Sequence, residues 1–96
     1  MCRALSENPA KLYGLYPRKG AVAPGSDADI VVYDPEADHV LRGETLESRA
    51  GYTPFEGFVT SGSVRSVYLR GALAVDGGRL VCEARGQYLA REKCTL

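Results

Sequence analysis

The sequence predicts an α+β fold that is mostly β, in which one N-terminal helix leads into a small unit of short strands. Apolar residues at helical spacing are found within the first 13 residues. A continuous apolar run at residues 30–33 is typical of a strand. Eleven glycines and five prolines among 96 residues favour many turns between short elements. A chain of this length forms one small domain with a modest core, or part of a larger domain.

The helix is predicted over residues 1–13, interrupted by the Asn8-Pro9 pair. We expect a first helix to end near Glu7 and a second short turn to follow, with Asn8 as its N-cap and Pro9 at its first helical position. Gly14 is expected to end the helical segment in a left-handed conformation. No capping residue precedes the first turn, so we expect the earlier part of this helix to be missing from the chain.

The clearest strand is predicted over residues 28–33, and its unbroken apolar run is expected of a strand that is covered on both faces. Residues 14–27 precede it. Glycine and proline recur every few residues there, so this segment is predicted to be a loop with one short strand at 21–23. A weaker strand is predicted at residues 39–42.

A long glycine-rich loop is predicted over residues 43–62. It contains three aromatic residues, Tyr52, Phe55 and Phe58. A flexible linker has little apolar surface to bury, whereas long ordered loops usually pack on something. We therefore expect these aromatic side chains to anchor the loop against another surface.

The remaining elements are three strands and a tail. Residues 64–70 are predicted to form a strand. Residues 72–75 and 79–82 are predicted to form a hairpin around the Asp-Gly-Gly turn at 76–78. The tail, residues 84–96, mixes apolar and charged side chains and is expected to be an arm that docks elsewhere.

Composition excludes several classes of function. Twelve basic and twelve acidic side chains give zero net charge, so no partnership with nucleic acid is expected. No apolar run approaches the roughly 18–20 residues that span a membrane, and the N-terminus lacks the apolar segment of a signal peptide. Three widely spaced cysteines fit free thiols in a reducing compartment, which predicts a cytoplasmic protein. These are Cys2, Cys82 and Cys94.

Few residues offer recognisable chemistry. His39 is the only histidine, and because a catalytic zinc site takes about three protein ligands we interpret it as an exposed strand residue. Asp27 and Asp29 form a DxD pair that suits a hard cation, but without calcium-loop spacing we favour turn chemistry, with Asp27 accepting backbone N–H groups. The neighbouring basic residues Arg18 and Lys19 are interpreted as a solvated turn.

Nucleophile and phosphate-binding motifs are also lacking in the sequence. None of the serines lies in a GxSxG elbow, and neither GxGxxG nor a P-loop occurs. Glu44, Glu47 and Glu56 cannot be placed as a catalytic carboxylate pair from the sequence. We therefore predict no catalytic, cofactor-binding or metal-binding residue in this chain, which by itself has the character of a packing or binding module.

Two stretches nevertheless resemble a known enzyme family. Residues 8–20 read NPAKLYGLYPRKG, and residues 23–35 read APGSDADIVVYDP. Together they resemble the C-terminal end of the cyclic amidohydrolases, in particular the dihydropyrimidinase and hydantoinase family. The GSDADIVV part is similar across the wider amidohydrolase superfamily, and the first stretch makes the match far more specific. Residues 52–58 and 85–89 also resemble dihydropyrimidinases.

The resemblance implies how the elements are divided between domains. Residues 1–16 would be a helix and turn left over from the end of a TIM-barrel domain. Residues 17–83 would be part of a C-terminal β-sandwich completed by strands from the N-terminus of the parent protein. The aromatic loop at 43–62 would lie against the barrel, and residues 84–96 would form a tail that supports oligomerisation.

The same resemblance implies a metal-dependent parent enzyme that opens the ring of dihydropyrimidines or hydantoins. Its binuclear zinc site is expected to use histidines, a carboxylated lysine and an aspartate on the barrel, all upstream of the matched segment. Lys11 and Lys19 follow the barrel, so neither is that lysine. The chain alone is therefore expected to be inactive.

The partners implied by the resemblance are the missing barrel and N-terminal strands, together with further copies in a dimer or tetramer. Two alternatives stay open. The parent could be a non-catalytic relative, similar to the collapsin response mediator proteins, or the chain could be a free-standing β-module that binds a partner.

Overall fold

One continuous helix opens the chain in this computed structural model, which describes residues 1–94. A π-helical segment, Arg3–Glu7, runs directly into helix α1, Asn8–Leu12. The predicted break and the predicted cap are both wrong, because Asn8 has helical φ and ψ of −64° and −44° and donates its N–H to the Arg3 carbonyl. An N-cap needs extended backbone, which this residue does not have. No helix within these residues is long and apolar enough to cross a membrane.

Helix α1 ends as the sequence predicts, at a glycine. Gly14 has φ +72°, and its N–H donates to the Lys11 carbonyl. The following segment turns back on itself, since Leu15 and Tyr16 both donate to the Ala10 carbonyl. The strand predicted at 21–23 does not form. That segment leads into a turn closed by the Ser26 N–H and the Ala23 carbonyl, and no strand within residues 1–94 pairs with it.

Six short strands follow in the described part of the chain, with one 3-10 turn at Gly43–Thr45. Four strands form an antiparallel sheet in the order β1-β4-β5-β6, and the other two form a separate ribbon. The 39–42 strand is confirmed only as far as Val40. In chain order the strands are β1 Ile30–Asp34, β2 His39–Val40, β3 Val59–Thr60, β4 Ser63–Leu69, β5 Ala72–Asp76 and β6 Arg79–Leu80.

Two-residue turns join the last three strands. Gly77 and Gly78 connect β5 to β6 with φ of +58° and +81°, which is the primed geometry that matches the twist of a hairpin and confirms the predicted turn. Arg70 and Gly71 connect β4 to β5 with φ of +46° and +82°. Arg70 is the only non-glycine residue among 1–94 with a positive φ.

Both faces of the four-stranded sheet carry apolar rows. Paired residues in antiparallel strands point to the same face. The register therefore places one row of four apolar residues across β1, β4, β5 and β6, and a second row of three on the opposite face. The first row, called the valine row below, is Val31, Val67, Val75 and Leu80. The second row is Ile30, Tyr68 and Leu73.

The sequence predicts that β1 is covered on both faces, but residues 1–94 do not provide this cover. Val31 is 59% exposed, and Ile30, on the other face, is 36% exposed. Only two hydrophobic residues, Ala10 and Ala74, are buried in the part of the chain that the structure describes. The β-sandwich therefore stays a prediction, because the structure holds a single layer of this sheet.

The chain exposes more surface than a compact domain of its mass. Its accessible surface is 7815 Å², whereas a folded monomer of this mass exposes about 5,400 Å². The radius of gyration is 15.7 Å, against about 12.5 Å expected for a compact chain of this length. The fold thus leaves on the order of 2,400 Å² of additional surface, which includes both apolar rows of the sheet.

Candidate functional site

Four charged side chains form a cluster between the end of the helix and the start of β1. Lys19 Nζ lies 2.9 Å from Asp27 Oδ2 and also bonds the Asp29 carboxylate. Arg18 Nε donates to the same Asp27 oxygen at 3.1 Å. Arg18 lies exposed in a turn, as interpreted from the sequence, but both basic side chains of this turn are ion-paired. These four residues are called the charged cluster below.

Backbone turns bring the two halves of the charged cluster together. The Asp27 N–H donates to the Arg18 carbonyl at 2.9 Å, and Ser26 Oγ donates to the Pro17 carbonyl at 2.6 Å. We predicted Asp27 as the carboxylate that accepts backbone N–H groups, and this is wrong, because its Oδ2 is bonded by the Arg18 and Lys19 side chains instead. That role belongs to Asp29, whose Oδ1 accepts the Arg70 N–H at 2.9 Å.

Asp29 therefore connects three parts of the fold. Its carboxylate bonds Lys19 on the helix side and the backbone of Arg70 in the β4–β5 turn, and it directly precedes β1. The Gly71 N–H donates to the neighbouring Ala28 carbonyl at 3.0 Å, which strengthens the same junction. The DxD pair was visible in the sequence, but its partners are about ten and forty residues away along the chain.

The electrostatics of the charged cluster favour the ionised forms. The hydrogen bond from Lys19 lowers the pKa of Asp27, and the hydrogen bond to Asp29 raises the pKa of Lys19. Burial pushes the pKa of Asp29 upward, but the bonds from Lys19 and from the Arg70 N–H outweigh burial and leave the pKa below its ordinary range. Such mutual stabilisation is typical of a structural ion network as well as of a functional site.

We predict that the free energy of unfolding falls less steeply with decreasing pH in the Asp29→Asn variant than in the wild-type protein. A carboxylate with a lowered pKa contributes stability above its unfolded pKa of about 4, and this contribution is lost as the pH falls through the folded pKa. Urea unfolding between pH 7 and 3 measures the effect, which for a partly exposed pair is expected to be about 1 kcal/mol. Glu36→Gln is the control, since Glu36 makes no ion pair within residues 1–94. An equal loss of stability at acid pH in the wild-type protein and in Asp29→Asn would contradict the prediction.

An open cleft of 630 Å³ lies beside the charged cluster, between the helix and β1. Its lining is mainly apolar, with Ala10 and Tyr13 from the helical side and Val31 from the sheet. Lys19 and Asp29 from the charged cluster complete one part of the lining. The cleft therefore presents an apolar surface next to fixed charges, an arrangement suited to packing or binding.

The other residues weighed from the sequence lie apart from this cleft. His39 is exposed on β2, where its carbonyl accepts the Thr60 hydroxyl at 3.2 Å. Glu56 accepts the Gly43 N–H at 2.7 Å and so has a structural role in its loop. Cys2, Cys82 and Cys94 are free thiols. Among residues 1–94, no three His, Cys, Asp or Glu side chains lie close enough together to hold a metal ion.

The aromatic loop is held by a contact between its two phenylalanine rings and by hydrogen bonds to Leu41, which precedes it. The Phe55 and Phe58 ring centroids are 5.8 Å apart with planes tilted by 59°. The Leu41 N–H donates to the Phe58 carbonyl, and the Gly57 N–H donates to the Leu41 carbonyl. The loop predicted to run to residue 62 ends instead at Phe58, because Val59–Thr60 pairs with β2. Tyr52 is 72% exposed and both phenylalanines are more than half exposed, so the loop offers an aromatic surface.

The family comparison identifies the class of protein. Residues 1–74 match the amidohydrolase family, which is most of the chain. This match spans the helix, the charged cluster and the sheet as far as β5. The chain belongs to the amidohydrolase family.

Individual relatives narrow the similarity to hydantoinases. The chain is 41% identical over 90 residues to the D-hydantoinase of Ralstonia pickettii, a match that covers 93% of this chain and 20% of that enzyme. It is 43% identical over 90 residues to the D-hydantoinase of Streptomyces coelicolor, with coverage of 90% and 19%. The chain is hydantoinase-like, and it spans about a fifth of the length of these curated relatives.

Solved structures agree with the sequence matches. The crystal structure of dihydropyrimidinase from Brevibacillus agri superposes with a TM-score of 0.74 at 45% identity, covering 79% of this chain and 16% of that one. The L-hydantoinase from Arthrobacter aurescens superposes with a TM-score of 0.75 at 35% identity, covering 80% and 17%. The arrangement of helix and strands described above is therefore one that these enzymes contain.

Proposed function

We propose that this chain is the C-terminal segment of a dihydropyrimidinase- or hydantoinase-like enzyme and that its own role is structural. The observation that carries the proposal is the coverage of the matches, in which 93% of this chain corresponds to 20% of a D-hydantoinase. The parent enzyme would hydrolyse the cyclic amide bond of dihydropyrimidines or hydantoins. The 96-residue chain alone would be inactive.

The residues of this chain do not fit the binuclear zinc site that the resemblance implies. Within residues 1–94 no group of three potential ligands is assembled, and His39, the one histidine of the sequence, is exposed on the β2–β3 ribbon. We therefore assign no zinc ligand and no step of the hydrolysis to this chain. In our proposal the metal ligands belong to the barrel of the parent enzyme.

The chain's own contribution would be to pack against the rest of the enzyme. The valine row and the opposite apolar row suit burial on both faces of the sheet, because such rows contribute about 25 cal/mol for each Å² removed from water. The exposed aromatic loop suits contact with the barrel. The free thiols favour a cytoplasmic setting. We further propose that the parent forms a dimer or tetramer.

Hydrolysis assays on two matched proteins test this function. The complete gene product, loaded with zinc, is expected to open dihydrouracil or a 5-substituted hydantoin, while the 96-residue chain under the same conditions is expected to show no turnover. The metal-stripped complete product is the control for metal dependence. Turnover by the 96-residue chain would overturn the structural role. A complete product without turnover or bound zinc would overturn the enzymatic parent and favour the non-catalytic scaffold.

A further inference from the structure

The tail has neither helix nor strand in residues 83–94, yet two hydrogen bonds tie it to distant parts of the fold. The Glu92 N–H donates to the Gly14 carbonyl at 2.8 Å. The Arg70 guanidinium donates to the Arg85 carbonyl. One anchor is therefore the turn that ends the helix, and the other is the β4–β5 turn beside the charged cluster.

Between these two anchors, Leu89 is the one residue of the tail that is not exposed. Leu89 is half-buried and lines a small cavity of 140 Å³ together with Leu15 and Tyr16. The preceding Tyr88 is 93% exposed. The tail thus contacts the fold along a narrow line, with two hydrogen bonds and one partly buried leucine.

Gly14 is required at its position for two independent reasons. Its φ of +72° is disfavoured for residues with a Cβ. A Cβ at this position would also overlap the carbonyl oxygen of Glu92, so any larger residue would push the tail away. Gly25 offers a natural comparison, because its φ is +91° but a Cβ there would meet no atom within 4 Å.

We propose that residues 85–92 form a releasable strap that clamps the end of the helix to the β4–β5 turn, with Gly14 as its seat. The strap spans the junction that Asp29 also bridges, so it limits how far the helix can move from the sheet. Its few contacts make it an element of low local stability, and such elements open before the rest of a fold. All the contacts of the strap lie within this chain and do not depend on the reaction that the complete protein performs.

Trypsin cleavage after Arg85 and Arg91 tests the strap in the complete gene product, because both bonds lie within it or at its end. Gly14→Ala is expected to accelerate these cleavages roughly tenfold, as expected when a hydrogen bond and its close packing are lost. Gly25→Ala introduces a similar backbone strain without the overlap and is expected to leave the cleavage rates unchanged. Equal acceleration in both variants, or none in either, would overturn the proposal.

A second pair of variants keeps the test valid if Gly14→Ala fails to fold. Glu92→Pro removes the donor to Gly14 and leaves the turn itself unaltered, so cleavage after Arg85 is expected to accelerate. Lys93→Pro is the matched control, since the Lys93 N–H makes no backbone hydrogen bond within residues 1–94. Equal rates in the two proline variants would overturn the proposal, as would protection of Arg85 that rises with protein concentration, which indicates a contact between copies.

Discussion

Gly20→Ala is expected to destabilise the protein by about 3 kcal/mol, whereas Gly25→Ala is expected to cost only about 1 kcal/mol. Both glycines have positive φ, +83° and +91°, and this backbone conformation accounts for the smaller cost. At Gly20 a Cβ would lie 2.6 Å from the Ala10 Cβ and 2.9 Å from the Ser6 carbonyl oxygen. Ala10 is buried and sits in a short helix whose backbone cannot easily give way.

Urea unfolding of the complete gene product separates the two contributions. The difference between the Gly20→Ala and Gly25→Ala midpoints, at an unchanged m value, reports the cost of the overlap with Ala10. Ala10→Gly removes the closest contact, so Gly20→Ala is expected to cost less in an Ala10→Gly background than in the wild-type protein. Equal midpoints for the two single variants would show that the helix does not pack on Gly20.

Local signals in the sequence predicted the elements whose geometry is set by neighbouring residues. Gly14 ends the helix and Gly77-Gly78 forms the hairpin turn, as predicted, because positive φ is a property of the residue itself. The apolar run at 30–33 likewise forms most of β1. The predicted cap at Asn8 failed, because the helix continues through it with the N–H of Asn8 bonded five residues back.

The contacts that assemble these elements were not predictable in the same way. Lys19 pairs with Asp29, and Asp29 in turn accepts the N–H of Arg70, which is 41 residues further along the chain. A basic pair and a DxD pair are common in turns, and nothing in either pair identifies the other as its partner. The hydrogen bond from the Glu92 N–H to the Gly14 carbonyl likewise joins residues that lie far apart in the sequence. Such pairings follow from the three-dimensional path of the chain.

The proposal that this chain is part of a hydantoinase-like enzyme accounts for the exposed apolar rows. A strand with four consecutive apolar residues predicts cover on both faces, and the described residues leave β1 open on both. The chain spans about a fifth of the length of a D-hydantoinase, and in our proposal the rest of such an enzyme covers these faces. A substitution in the valine row tests this explanation quantitatively.

Val31→Lys is expected to lower the stability of the complete gene product by about 3 kcal/mol, because in the proposed packing it removes a buried apolar side chain and forces a charge into a covered face. In the 96-residue chain the same position is 59% exposed, so the ammonium stays hydrated there. In the isolated chain the substitution is therefore expected to reduce the exposed apolar surface. A dye that binds such surface is expected to fluoresce more weakly.

Two measurements on each of two variants check this prediction. Chemical unfolding reports the stability of the complete product, and dye fluorescence reports the open face of the 96-residue chain. Glu36→Lys is the control, since it places the same side chain on an exposed turn five residues away and is expected to change the free energy of unfolding by no more than about 0.5 kcal/mol. If Val31→Lys leaves the complete product as stable as Glu36→Lys does, the valine row faces solvent there and the packing role of this face is wrong.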